Sequence, residues 1–378
     1  MSFVEVAREL VAQRLRFRVI SLYLDLDPER FATAPARASQ AHSLIDAAAR
    51  EVDSDADLTH DERSALREDL VRLRSFLLSR EPPFKGARAL AVFCSTRDGF
   101  FEVVQLKRGV PARVVIERRP YVEPLMDAAQ QRRWCVSLVS RREGRIFTGF
   151  PESLQEHERL EDNVRSQHDQ GGFSQANYER SYEKDTDDHL RRVAEQLHRR
   201  WRREHFDRLA LGGPPEIVPR LEAVLHDEVR HRLAPERIDV DLHSATENQI
   251  RDALRTLVEE DDKRHERDAL DRLAAGIGSG GRAVGGPEGT VEALNERRVQ
   301  VLLLAPGFDR PGWRCPNCGL LALLASGVCP ADGRELREHD HLRESVVEAA
   351  LTQDAKVMVV RHHPDLGPFE GIGALLRF

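Results

Sequence analysis

Long apolar runs are missing from this chain of 378 residues, and none approaches the ~20 residues that a membrane-spanning helix requires. Met1 to Leu15 mixes charges instead of forming the apolar stretch of a signal peptide. Five cysteines, three of them clustered, do not make a disulfide framework and suit a reducing compartment. A soluble cytoplasmic protein without membrane contact is the expectation. An excess of positive charge is also missing: Lys and Arg number 57 against 64 Asp and Glu, a formal net charge of −7. The chain is therefore not a globally basic binder of DNA, and any RNA contact must come from local patches. Nucleotide-binding signatures are missing too. Gly212-Gly213-Pro214-Pro215 lies at the end of an expected strand but lacks the lysine and spacing of a phosphate loop, so it reads as a tight turn. Gly276, Gly278 and Gly280 follow a helix and not a strand, which excludes a dinucleotide fingerprint.

The apolar residues that are present, 40% of the chain, suffice for cores in two to four domains. Their periodicity predicts an α+β and α/β protein of three domains, 1–127, 128–275 and 276–378. In the first, a helix over 3–16 and a strand over 17–24 precede helices near 36–52 and 60–80, then strands at 89–94, 100–106 and 112–116. In the second, a hairpin at 134–139 and 145–149 leads through a glycine loop into a long helix. A strand at 209–213, a helix over 216–233 and a strand at 238–242 then suggest an α/β layer. A charged helix over 246–274 and a glycine-rich break follow. The third domain reads as a strand at 299–304, a helix at 342–351 and a strand at 356–360.

Two stretches carry chemistry. The first is His168-Asp169-Gln170-Gly171-Gly172-Phe173-Ser174-Gln175. Gly171 and Gly172 remove side-chain bulk and let the backbone approach a partner closely. Gln175 offers a group that orients a water, and Phe173 a ring that stacks on a base or packs on the helix. His168 is a weaker candidate base. After the loop, Leu190, Val193, Ala194, Leu197 and Trp201 form one apolar stripe, while Arg180, Arg191, Arg192, Arg199, Arg200, Arg202 and Arg203 occupy other faces. Such a helix suits a phosphate backbone. It also suits a solvated surface balanced by Glu195, Glu204 and Asp207. Arg132, Arg133, Arg141, Arg142 and Arg145 form a second basic group.

The second stretch is a cysteine cluster. Cys315-Pro316-Asn317-Cys318-Gly319 and Cys329-Pro330-Ala331-Asp332-Gly333 share one frame, which puts Asp332 where a fourth cysteine would stand. Zinc accepts a carboxylate oxygen, so Cys315, Cys318, Cys329 and Asp332 make a possible structural site. His339 and His341 are alternative fourth ligands, and a loop that folds without metal is the remaining alternative.

The stretch from Gln167 to Trp201 resembles the central domain of the archaeal and eukaryotic class I peptide chain release factors, whose Gly-Gly-Gln loop precedes a basic helix. Gly171 and Gly172 match, Phe173 stands where that family has glutamine, and Gln175 resembles the displaced glutamine of relatives that cleave peptidyl-tRNA in ribosome quality control. Ala283-Val284-Gly285-Gly286 and the tail Gly371-Ile372-Gly373-Ala374-Leu375-Leu376-Arg377-Phe378 are similar to the third domain of the release factor and Pelota superfamily. Asn-Ile-Lys-Ser and Tyr-x-Cys-x-x-x-Phe, the stop-codon motifs of the first domain, are absent. The resemblance implies an RNase H-like central layer and an L7Ae-like last domain with a zinc-knuckle insertion. It implies a ribosome-associated factor that enters the A site, binds rRNA and peptidyl-tRNA, and hydrolyses the latter through Gly171, Gly172 and Gln175 without reading stop codons. A non-catalytic rescue or hibernation factor, as Pelota and the Balon-like proteins are, is the alternative. A translational GTPase is a further implied partner.

Overall fold

The computed structural model describes residues 3–27, 30–78, 87–107, 109–162, 175–278, 281–324, 327–339 and 341–378, and for 175–181 the backbone alone. Its contacts divide into two units, residues 1–130 with 263–378, and residues 131–262.

In the first unit, α1 (Phe3–Val11) and β1 (Val19–Asp25) are followed by two helices, α2 (Ala34–Ser54) and α3 (His60–Leu77). Thr59 starts α3 with a capping box, its hydroxyl accepting from the Glu62 amide at 3.2 Å while Glu62 Oε2 accepts from the Thr59 amide at 3.2 Å. β2 (Ala89–Ser95), β3 (Phe100–Leu106) and β4 (Arg113–Glu117) complete an antiparallel sheet of order β3-β2-β1-β4, and α4 (Glu123–Ala129) follows. β1 and β2 are buried along their whole length because both faces of the sheet are covered. Ile20, Leu22 and Leu24 meet Ile45, Leu66 and Leu73 of α2 and α3 on one side. Tyr23, Ala91 and Phe93 belong to a second core on the other.

The central unit opens with β5 (Trp134–Val139), β6 (Glu143–Gly149) and β7 (Gln155–Glu161), then α5 (Gln175–Glu204) and β8 (Arg208–Gly212). The sheet order is β7-β6-β5-β8, and β8 lies parallel to β5, Cys135 opposite Leu209. The helix expected over 216–233 is two short ones, α6 (Val218–Val224) and α7 (Asp227–Arg230). Between them Leu225 turns extended and into the core, and Arg230 donates to the freed carbonyls of Ala223 at 3.1 Å and Leu225 at 2.8 Å. The strand expected at 238–242 is a single bridge from Ile238 to Gly212. The long helix α8 (Glu247–Gly278) contributes residues to both units.

The remaining elements belong to the first unit. β9 (Ala283–Gly285), α9 (Gly286–Asn295) and β10 (Val299–Leu304) precede a small sheet of β11 (Gly312–Arg314), β12 (Leu321–Ala322) and β13 (Arg337–His339). α10 (Leu342–Thr352), β14 (Lys356–Val359) and β15 (Ile372–Leu376) close the unit. Its larger sheet has the order β14-β10-β15-β9, with β10 and β14 parallel. Residues from both ends of the chain share one core, in which Ala7, Leu10, Leu125 and Met126 cluster with Val346, Val347 and Ala350.

That core is pinned by buried ion pairs. Arg343 donates from Nε to Glu123 Oε2 at 2.6 Å and from Nη2 to Oε1 at 2.5 Å, and its Nη1 reaches the carbonyls of Ala305 at 2.7 Å and Phe308 at 3.0 Å. Glu348 accepts from both Arg314 and Arg119. Removing one partner of such a pair leaves a buried charge without its counter-ion, which costs about 3–5 kcal/mol. Glu123→Ala is therefore expected to lower unfolding stability by about that amount in urea titration, and Glu123→Ala with Arg343→Met to lower it by less. Neighbouring Glu344 is raised to about 7, by burial first and by the Glu117 carboxylate second, against the opposing pull of His341. A carboxyl raised in the folded state favours folding most below its unfolded pKa, and that benefit fades as pH rises towards 7. Glu344→Gln should flatten the pH dependence of the melting temperature between pH 4.5 and about 7.

Candidate functional site

α5 is the element from which the expected functional loop departs. Its apolar stripe is buried, with Leu190, Val193, Ala194 and Leu197 at 2% exposure or less against Ile146, Leu209, Leu211 and Ile217. Full burial stabilises each Leu or Val by about 1.5–3 kcal/mol, so the rotation of the helix about its axis is fixed. The close approach needs Gly144 in β6, where a Cβ would stand 2.9 Å from Val193 Cγ2.

Two residues without a motif of their own, Asp162 and His189, tie the end of β7 to α5. Asp162, just beyond β7, hydrogen-bonds the fully buried His189 at Nδ1 and accepts from Arg192, 3.2 Å at Nε and 2.7 Å at Nη2. Nε2 of His189 is buried without a hydrogen-bond partner. Partial burial pushes the Asp162 carboxyl up, but the bonds from His189 and Arg192 outweigh it and hold the group below its ordinary range. The signal for His189 was its place on the apolar stripe, next to Leu190 and three residues after buried Thr186. Further along, Arg220 Nη2 pairs with Asp187 at 2.6 Å and the Arg141 guanidinium lies 5.6 Å from the centre of the Tyr182 ring.

Gly171, Gly172 and Phe173, with His168, lie outside the described residues. Gln175 is the first residue of α5, and the side chains of Gln175 and Arg180 are also outside them. The basic residues divide into two kinds. Arg191, Arg192 and Arg199 are exposed, although each pairs with a carboxylate, Asp188 at 2.8 Å, Asp162 at 2.7 Å and Glu195 at 3.1 Å. Arg202 and Arg203 are exposed as well. Arg200 is turned inward, bonded to Glu204 at 2.7 Å and Thr148 at 3.3 Å, and so belongs to the core and not to the surface. Arg145 is likewise buried against Glu156 at 2.6 Å and the Leu242 and Ala245 carbonyls. Arg132 pairs with Asp261, Arg133 with Glu204 at 2.9 Å and Arg141 with Glu216 at 3.4 Å. Along α5 the charges separate. Glu179, Glu183, Asp185, Asp187 and Asp188 outnumber Arg180 and Lys184 in the half next to the loop, while the arginines gather in the second half. That arrangement suits the helix dipole.

The cysteine cluster assembles as two copies of one turn. Gly319 N–H donates to the Cys315 carbonyl at 3.0 Å, and Gly333 N–H to that of Cys329 at 2.8 Å. In each copy the cysteine amide bonds back to the carbonyl five residues on, Leu320 at 2.9 Å and Arg334 at 2.6 Å. Both glycines are left-handed, at φ +79° and +69°. The turns bring one ligand atom each of Cys315, Cys318, Cys329 and Asp332 within 4.8 Å of one another. Cys318 Sγ is 3.5 Å from Cys329 Sγ, and Cys315 Sγ is 3.3 Å from Asp332 Oδ2. A tetrahedral ion with metal–sulfur bonds of about 2.3 Å needs ligand separations of about 3.5–3.8 Å; the two thiols meet this and the thiol–carboxylate pair is slightly closer, so three thiols and a carboxylate make a donor set suited to a divalent metal. The Asn317 amide at 2.9 Å and the Arg334 N–H keep Asp332 ionised, far below its ordinary value. His341 is not in the cluster; it bonds Asp309 at 2.6 Å. His339 lies in β13 and is also outside the group.

The mixed sheet and α5 fall within a stretch that matches the model of one protein family. The family is described as Bacterial archaeo-eukaryotic release factor family 10, and the matched residues are 120–260. No curated protein matches the sequence. Among solved structures, the archaeal translation termination factor aRF1 is similar at 19% identity over 100% of this chain and 99% of that one, with a TM-score of 0.26. Archaeoglobus fulgidus Pelota is similar at 17% identity over 77% and 79%, with a TM-score of 0.37. S. cerevisiae Dom34, described as a translation termination-like factor, is similar at 10% identity over 77% and 79%, with a TM-score of 0.42.

Because Asp162 is held below its ordinary range, its contribution is complete at neutral pH and is lost as pH falls through the carboxylate region. Asp162→Asn is expected to raise amide hydrogen exchange at 182–189, while exchange at 193–201, held by the buried stripe, stays near that of the parent. The same loosening should appear in the parent protein in acid.

Proposed function

We propose that this chain is a ribosome-associated translation factor that enters the A site and hydrolyses peptidyl-tRNA without reading a stop codon. What supports the reading is the sequence position of Gly171-Gly172, after Asp162 and ahead of the first turn of α5, a helix of 30 residues and thus about 45 Å long. The match of residues 120–260 to a release factor family supports it.

In this reading Gly171 and Gly172 bring backbone N–H groups up to the ester without steric bulk. Gln175 orients the water that attacks the carbonyl carbon; the ester bond to the tRNA ribose breaks and the leaving ribose oxygen takes up a proton. No titrating base is needed, since positioning and fixed hydrogen-bond donors supply the effect. Phe173 stacks on a base. Arg191, Arg192 and Arg199, with Arg202 and Arg203, exchange their carboxylate partners for RNA phosphates, which makes binding salt-dependent. A binding factor without chemistry is the second reading, favoured by Phe173 at the place where the release factors carry glutamine.

Gln175→Ala is expected to reduce peptide release from ribosome–nascent-chain complexes by about 10²-fold or more, the scale of losing one transition-state donor, with co-sedimentation on ribosomes unchanged. If the parent protein binds such complexes and frees no peptide, the binding-only reading stands. Arg191→Glu with Arg199→Glu should weaken ribosome binding and flatten its salt dependence.

The cysteine cluster is read as a structural zinc site. Two of the three buried residues of its local core, Cys315 and Cys329, are the thiols themselves, with Leu336 the third, so little else holds the two turns together. Stripping the metal with a chelator should make 312–339 the first region cut by protease. Cys318→Ser should lower the zinc content found by elemental mass spectrometry.

A further inference from the structure

We propose that Glu195, His198 and His226 form a second metal site, for a borderline divalent cation of the nickel, cobalt or zinc type, on the face where α5 meets α7. One ligand atom of each lies within 4.8 Å of those of the other two. Glu195 and His198 are three residues apart and share one face of α5. This Glu-x-x-His spacing is one that inward-facing helices use to hold metal. His226 comes from the residue before α7, in extended backbone, and its side chain makes no capping hydrogen bond there.

The imidazoles stack with centroids 4.0 Å apart and planes 17° from parallel, which holds the two rings side by side. His226 Nε2 is 3.3 Å from Glu195 Oε2, and His198 Nε2 is 3.8 Å from Glu228 Oε2, which puts a second carboxylate beside the group. Glu195 Oε1 is taken by Arg199 Nε at 3.1 Å, which orients the carboxylate and leaves Oε2 towards the histidines. On the inner side the Trp201 ring lies parallel to His198 at 6.4 Å, an apolar wall behind the donors. Two imidazoles with carboxylates select first-row transition ions and zinc over magnesium and calcium, which prefer all-oxygen sites. Four described donors, Glu195, His198, His226 and Glu228, gather there, and a bound cation offsets the charge of the two carboxylates. Bound metal would staple the second half of α5 to α7. Neither the peptidyl-tRNA reading nor occupancy of the cysteine cluster is required.

The test uses the full-length protein, stripped by chelation and titrated with nickel(II), followed by equilibrium dialysis and thermal melting. The parent protein is expected to bind nickel with a rise in melting temperature, since a ligand of the folded state stabilises it by mass action. His226→Gln, an exposed change that leaves the core intact, should weaken nickel binding at this site by at least about tenfold and shrink the rise, and Glu195→Gln should weaken it. Cys318→Ser should leave this binding and its thermal shift in place, which separates the site from the cysteine cluster. Equal nickel stoichiometry and affinity in the parent and in His226→Gln, or loss of all nickel binding in Cys318→Ser, overturns the proposal.

Discussion

The burial of one stripe of α5 on the β5–β8 sheet is the constraint from which the rest of the central unit follows. Leu190, Val193, Ala194 and Leu197 can reach Ile146, Leu209 and Leu211 in only one helix rotation, and Gly144 admits no other residue beneath Val193 without displacement. Once the rotation is set, Arg191, Arg192 and Arg199 must point to solvent and Arg200 must not. His189 lands in the core, where Asp162 meets it. The end of β7 and the helix α5 are thereby tied together.

The first unit is organised by a different device. Residues from opposite ends of the chain share a core, and polar groups at its margin would be costly if unpaired. Arg343 is satisfied by Glu123 and two carbonyls, and Glu348 by Arg314 and Arg119. Two of these pairs, Arg343–Glu123 and Arg119–Glu348, join sequence positions more than 200 residues apart. They act less as a source of stability than as a specification of which surfaces belong together, since a mismatched docking would leave several buried charges without partners.

The candidate sites show how far residue types and spacing carry. The shared frame around Cys315 and Cys329 announced a pair of turns, and the turns fold with the same hydrogen bonds, so that Asp332 stands where the frame put it and His341 does not. The apolar stripe of α5 was legible from its period of three and four residues. The arginines around it were legible only as a set. A guanidinium at position 200 and one at position 199 look alike in a sequence, yet one is buried on Glu204 and the other exposed. His198 and His226 gave no signal, because they are far apart in the chain and meet only where α7 folds back on α5.

What the sequence determined by itself was whatever depends on neighbours along the chain: helix and strand periods, the two cysteine turns, and the long helix α5. The break between α6 and α7 escaped it, because a distant rule of periodicity gave way to Arg230 capping the carbonyls of Ala223 and Leu225. Tertiary structure alone decided which charges are partners and which are surface. Desolvation and ion pairing depend on what lies within a few ångströms in space, and a linear order of residues does not contain those distances.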